Sequence, residues 1–61
     1  MPKTPREMER IIMKDGWYLV RQTGSHRHYQ HPTKTGLVTI PFSKKTLAAG
    51  TEHSILKQAK L

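Results

Sequence analysis

Sixty-one residues carrying eleven Lys/Arg against four Asp/Glu, for a net charge of +7 and an isoelectric point near 10.3, describe one small, strongly basic domain spanning 1–61. The absence of cysteine excludes disulfides and thiolate zinc centres. A chain of this length buries only about 60% of its unfolded surface, so its core must be minimal.

The longest purely apolar run, Trp17 to Val20, is four residues, against the roughly 20 that a membrane helix needs. Met1 to Arg6 lacks the apolar stretch of a secretory signal, so a soluble, cytoplasmic protein without membrane contact is expected. The dense positive charge points to nucleic acid or an acidic protein as partner. A solvated basic surface without a ligand is the plainer alternative.

Thr4-Pro5-Arg6-Glu7 reads as a helix start: Thr4 caps, Pro5 suits the first turn and Glu7 completes a capping box. Met8, Ile11 and Ile12 then make one apolar stripe, and Gly16 ends the helix. Trp17 to Thr23 is aromatic and β-branched and predicts a strand. Gly24-Ser25 turns the chain into a second strand, Ser25 to His31; Pro32 to Gly36 is turn material, and Leu37 to Ile40 is a third strand ended by Pro41. No assignment follows for Phe42 to Ala49. A second helix begins near Gly50, with Ile55, Leu56 and Ala59 as its stripe. The expected class is α+β, in the order α-β-β-β-α, with two helices on one face of a three-stranded antiparallel sheet.

Three of the four histidines fall between Gly24 and Pro32. Alternation along the second strand puts Tyr29 and Arg27 on one face and His26, His28 and Gln30 on the other. Burying Tyr29 under the helices therefore exposes the histidines, unless a bulge after Gly24 rotates His26. Histidine both takes and gives protons near neutral pH, and RNA carries a 2′-hydroxyl beside every phosphate. His26 is the candidate catalytic residue. Ser25, Arg27, Lys44 and Lys45 are candidate phosphate ligands, and His28 a candidate helper at the RNA.

Two other readings stay open. His26, His28 and His31 are spaced to share a metal, but no cysteine is available and Glu7, Glu9 and Asp15 belong to the first helix. A two-metal nuclease built on clustered carboxylates is disfavoured for the same reason. A non-catalytic module that binds RNA or a protein, such as a double-stranded-RNA-binding or ribosome-associated domain, fits the residues better than catalysis does when they are read alone. Trp17 reads as a core anchor, His53 as a surface residue and Glu52 as a helix-start residue.

Gly16-Trp17, Arg21-Gln22-Thr23-Gly24-Ser25-His26, His31-Pro32, Val38-Thr39-Ile40-Pro41, Gly50-Thr51 and Ser54 to Ala59 together resemble the HicA toxins of bacterial type II toxin–antitoxin systems. The resemblance runs over nearly the whole chain. It implies a fold similar to double-stranded-RNA-binding domains and ribosome-independent cleavage of mRNA with no metal or other cofactor. It also implies an essential histidine, here His26. The implied partner is a HicB antitoxin that covers this histidine, with operator DNA engaged only through the antitoxin. Two departures stand out. Many members carry a second histidine after the third strand, where this chain has Phe42-Ser43. The family also tends to an apolar residue where Glu52 stands and a glycine where Lys60 stands.

Overall fold

The local signals of the first helix are realised in full. In a computed structural model describing residues 2–61, α1 spans Pro5–Lys14. The Glu7 N–H donates to Thr4 Oγ1 at 3.1 Å, and the Thr4 N–H donates to the Glu7 carboxylate at 2.9 Å. That backbone donor holds the Glu7 carboxyl below its usual range. At the other end, the Trp17 N–H reaches the Ile12 carbonyl at 3.1 Å and the Gly16 N–H reaches Met13 at 3.0 Å. This pair of bonds requires a left-handed residue at Gly16, whose φ is +114°.

The turn aims Trp17 into the core, where it is 1% exposed, so β1 starts one residue later than expected, at Tyr18–Thr23. Strands β2 (His26–Gln30) and β3 (Val38–Pro41) follow, then α2 (Ala49–Gln58). Sheet order is β1-β2-β3, antiparallel throughout, so the expected α-β-β-β-α architecture is the observed one.

Tyr29 on the central strand is fully buried, with Val38 and Ile40 of β3 on the same face. Met8 and Ile12 of α1, Ile55 of α2, Ala59, Trp17 and Leu47 complete one core. Both helices therefore cover one side of the sheet and leave the other open. The β1–β2 register runs Leu19↔Tyr29, then Arg21↔His28, so Val20 is the extra residue of a β-bulge. The irregularity lies within β1, not after Gly24, and His26 keeps its place opposite Thr23 and Pro41.

The segment from Phe42 to Ala48 is fixed by Leu47, which is 2% exposed and whose N–H donates to the Lys3 carbonyl at 2.8 Å. α2 has Ala48 as its N-cap and no side-chain cap. Glu52, expected only to favour the helix start, also accepts the Lys3 N–H at 2.8 Å and so ties the N-terminal segment to α2. Lys60, where the resembled family tends to glycine, takes a left-handed φ of +58°.

His31 leaves β2 because its ring is used elsewhere. Its Nδ1 accepts the N–H groups of Thr33 and Lys34, both at 3.1 Å, so the proton sits on Nε2, which donates to the Asp15 carbonyl at 2.8 Å. The ring packs edge-on against Trp17 with centroids 5.2 Å apart. Lys34 Nζ closes the same corner, donating to the Asp15 carboxylate at 2.6 Å and to the Ala59 carbonyl at 3.2 Å. The Lys34 ammonium holds the Asp15 carboxyl below its ordinary range.

A Cβ at Gly16 would stand 2.8 Å from His31 Nε2. Gly16→Ala therefore meets both a disfavoured φ and a steric clash. It is expected to lower stability by about 1–3 kcal/mol, read as a reduced midpoint in urea unfolding at constant slope.

Candidate functional site

The site is laid out by the period of two along β2. His26, His28 and Gln30 face the open side, while Arg27 and Tyr29 face the helices. His26 is exposed at the start of the strand, next to the Gly24-Ser25 turn. Gly24 has a φ of +58°, and nothing lies within 4 Å of a Cβ placed there, so the turn is open to close approach. His28 is half-buried, and its Nδ1 is 3.0 Å from Thr39 Oγ1 of the neighbouring strand, which fixes the ring and turns Nε2 away from that contact.

The Phe42 N–H donates to the Ser25 carbonyl at 2.6 Å, adding one rung to the β2–β3 ladder beyond Pro41. That rung brings the segment after Phe42 alongside the Gly24-Ser25-His26 turn, and Lys44 and Lys45 on it are exposed. Ser43, where the resembled family tends to a second histidine, is exposed and follows Phe42 directly.

Arg27 is not beside His26 on the open face. Its Nη1 donates to Glu9 Oε2 at 2.9 Å, and its guanidinium lies over the Phe42 ring, 4.2 Å from the centroid. The hydrogen bond that Arg27 donates to the Glu9 carboxylate raises the Arg27 pKa. The Tyr29 hydroxyl donates to the same Glu9 oxygen at 2.5 Å. One carboxylate of α1 thus accepts from two consecutive inward-facing residues of β2. Of the residues singled out for phosphate, Ser25 belongs to the turn before His26, Lys44 and Lys45 are exposed two and three residues beyond Phe42, and Arg27 faces the helices, held by Glu9.

Sequence reasoning passed over Glu9, which reads as an ordinary helix carboxylate. Its position immediately after Met8, at the border of the apolar stripe, was the available signal. It also passed over a shallow groove of about 350 Å³ on the open face, lined by Val20, Arg21, His28, Gln30 and Leu37. The β1 bulge brings Val20 and Arg21 to it together, and no sequence signal marks that bulge. A second depression of about 490 Å³ lies over the outer face of α1, lined by Arg6, Glu9, Arg10, Met13 and Lys14, on the side of the sheet away from His26. Among the described residues no three His, Asp or Glu side chains gather where they could hold a metal, and His31 is turned to the Asp15 carbonyl instead. His53 is exposed on α2.

This fold is shared with a chain of a solved toxin–antitoxin complex from Streptococcus pneumoniae. The two align with a TM-score of 0.81 and 33% identity, over 98% of this chain and 100% of that one. A small α+β toxin-like unit, basic and open on one sheet face, is the class that results. The model of the family described as HicA toxin of bacterial toxin-antitoxin matches residues 5–61, and the chain belongs to that family. No curated protein matches it.

The Glu9–Tyr29 contact has a measurable signature. Burial, followed by the Glu9 hydrogen bond, raises the Tyr29 phenol well above its ordinary value. The unfolded phenol loses its proton near pH 10 while the folded one keeps it. The stability that this group contributes is therefore complete below about pH 10 and lost as pH rises toward the folded value. Tyr29→Phe is expected to cost about 1.5–3 kcal/mol at neutral pH, as for a hydrogen bond to a charged group. It should also flatten the alkaline fall in stability, measured as urea midpoints between neutral pH and pH 11.

Proposed function

We propose that the protein is the toxin of a toxin–antitoxin pair and that it cleaves mRNA with His26 as the central proton-transfer group, without a metal. The observation that carries this reading is the exposed His26 beside the open Gly24-Ser25 turn, to which the Phe42–Ser25 rung ties the start of the segment that carries Lys44 and Lys45.

The reaction is an in-line transfer at phosphorus. His26 accepts the proton of the 2′-hydroxyl, whose oxygen attacks the adjacent phosphate. The bond to the 5′-oxygen breaks and that oxygen takes up a proton. The products are a 2′,3′-cyclic phosphate and a 5′-hydroxyl. Lys44 and Lys45 neutralise the charge that builds on the phosphoryl oxygens, and Ser25 offers a hydroxyl to a phosphate oxygen. His28, held by Thr39, is the nearest second imidazole on the same face and serves as donor to the leaving oxygen in the absence of a histidine at Ser43. Arg27, its charge paired with Glu9, acts on the site only through its hold on Phe42. An antitoxin of the HicB type inhibits by covering the His26 face. The S. pneumoniae complex, in which a chain of this fold occurs in a toxin–antitoxin assembly, supports such a partner. Operator DNA is reached only through the antitoxin.

The test is incubation of the purified protein and its His26→Ala variant with a defined RNA in EDTA, followed by mapping of the product ends. Loss of a general acid or base lowers rates by about 10²–10⁴. His26→Ala should therefore leave RNA uncut at times when the parent is finished, with an unchanged thermal melt as control for folding. Binding by both proteins without cleavage by either would leave a non-catalytic RNA-binding module. Lys44→Ala/Lys45→Ala should reduce the slope of log affinity against log salt by about 1.4, two single-strand phosphate contacts. An unchanged slope would remove both lysines from the phosphate site.

A further inference from the structure

Val20 and Leu37 are 44% and 41% exposed on the open face, although both are large aliphatic residues. Neither belongs to the core. They border the ≈ 350 Å³ groove whose remaining lining is polar: Arg21, His28 and Gln30. That composition, two aliphatic walls with a cation and hydrogen-bonding groups between them, suits a flat apolar ring with a polar edge. The volume lies at the small end of the roughly 300–1,000 Å³ spanned by ligand pockets, too little for a helix or a folded surface to enter.

The groove is also continuous with the proposed cleavage site. His28 and His26 lie two residues apart on the same strand face, about 7 Å at the usual rise of a β-strand. One sugar bridges that span. His28 thus belongs both to the groove and to the row leading to His26, and Arg21 lies opposite it across the ladder. The β1 bulge builds the arrangement, because a regular strand would send Val20 and Arg21 to opposite faces.

We infer that the Val20–Arg21–His28–Gln30–Leu37 groove is a nucleobase subsite, which holds the unpaired base flanking the phosphate at His26 and sets the base preference of the protein for single-stranded RNA. This rests on the reading of His26 as the cleavage centre. The base lies against Val20 and Leu37, and Gln30 supplies an amide donor and acceptor to its edge. Arg21 adds either a stacking plane or a phosphate contact on the same nucleotide. Duplex RNA is not the ligand of this groove, since its bases are stacked and paired and cannot leave the helix to lie flat on a sheet.

The experiment uses the whole protein and a 2′-O-methyl oligonucleotide, which cannot be cleaved, carrying 4-thiouridine or 6-thioguanosine at single positions. Irradiation followed by peptide mapping should place cross-links on Val20, Gln30 or Leu37 for one position next to the blocked phosphate. Cross-links confined to α1 or to the Lys44-Lys45 segment would overturn the subsite. In a second arm, parent, Leu37→Ala and Gln30→Ala act on a randomised RNA pool, and the bases flanking each cut are counted. Preference at one flanking position should fall roughly ten-fold, the low end for a lost pocket contact; an unchanged profile in both variants would overturn the subsite. Groove cross-links with no cleavage by the parent would keep the subsite and remove the nuclease reading. Cleavage with cross-links elsewhere would do the reverse. Weakened capture of the cognate antitoxin by Leu37→Ala, with base preference intact, would give the groove to a protein partner and overturn it.

Discussion

The Glu9 carboxylate is where helix and sheet are joined. It accepts from Arg27 at 2.9 Å and from Tyr29 at 2.5 Å, two residues that point the same way from the central strand. Side chains alternate along a strand, so a slip of one residue in β2 would bury His26 and His28 and expose Tyr29. Holding Arg27 and Tyr29 to one carboxylate selects against that slip more sharply than apolar burial alone, because the wrong register would strand a charge on Glu9. The guanidinium also lies over the Phe42 ring. The segment carrying Lys44 and Lys45 is therefore organised by the same contact.

Around this joint the small core is closed by polar ties at its corners. Lys3 links the N-terminal segment to Glu52 and Leu47. Lys34 links the end of α1 to the end of α2. His31 fills the angle between Gly16 and Trp17 as a ring whose two nitrogens are both engaged with backbone. A domain with so few buried residues gains from such ties mainly by limiting how the elements can shift against one another.

Much of this was legible in the sequence. The cap of α1 follows from Thr4, Pro5 and Glu7, and its end from Gly16. The burial of Tyr29 and the exposure of His26 follow from alternation once two helices need one covered face. Less legible were features that depend on partners distant in the chain. Arg27 looks like a phosphate ligand next to His26 until Glu9, eighteen positions earlier, is brought against it. His31 reads as the end of a strand or a metal ligand until the turn at residues 33 and 34 offers it two N–H groups. The bulge at Val20 carries no glycine or proline to mark it, so neither the groove nor its occupant class could be read in advance.

The division of β2 into a structural and a functional side has an evolutionary meaning. Residues that hold the protein together and residues left on the open face alternate along this strand. Substitutions on the open face leave the packing of Tyr29, Val38 and Ile40 untouched, so whatever that face recognises is free to change. A toxin built in this way can diverge in target and antitoxin together, at little risk to its own folding, so that duplicated copies in one genome can become mutually independent pairs.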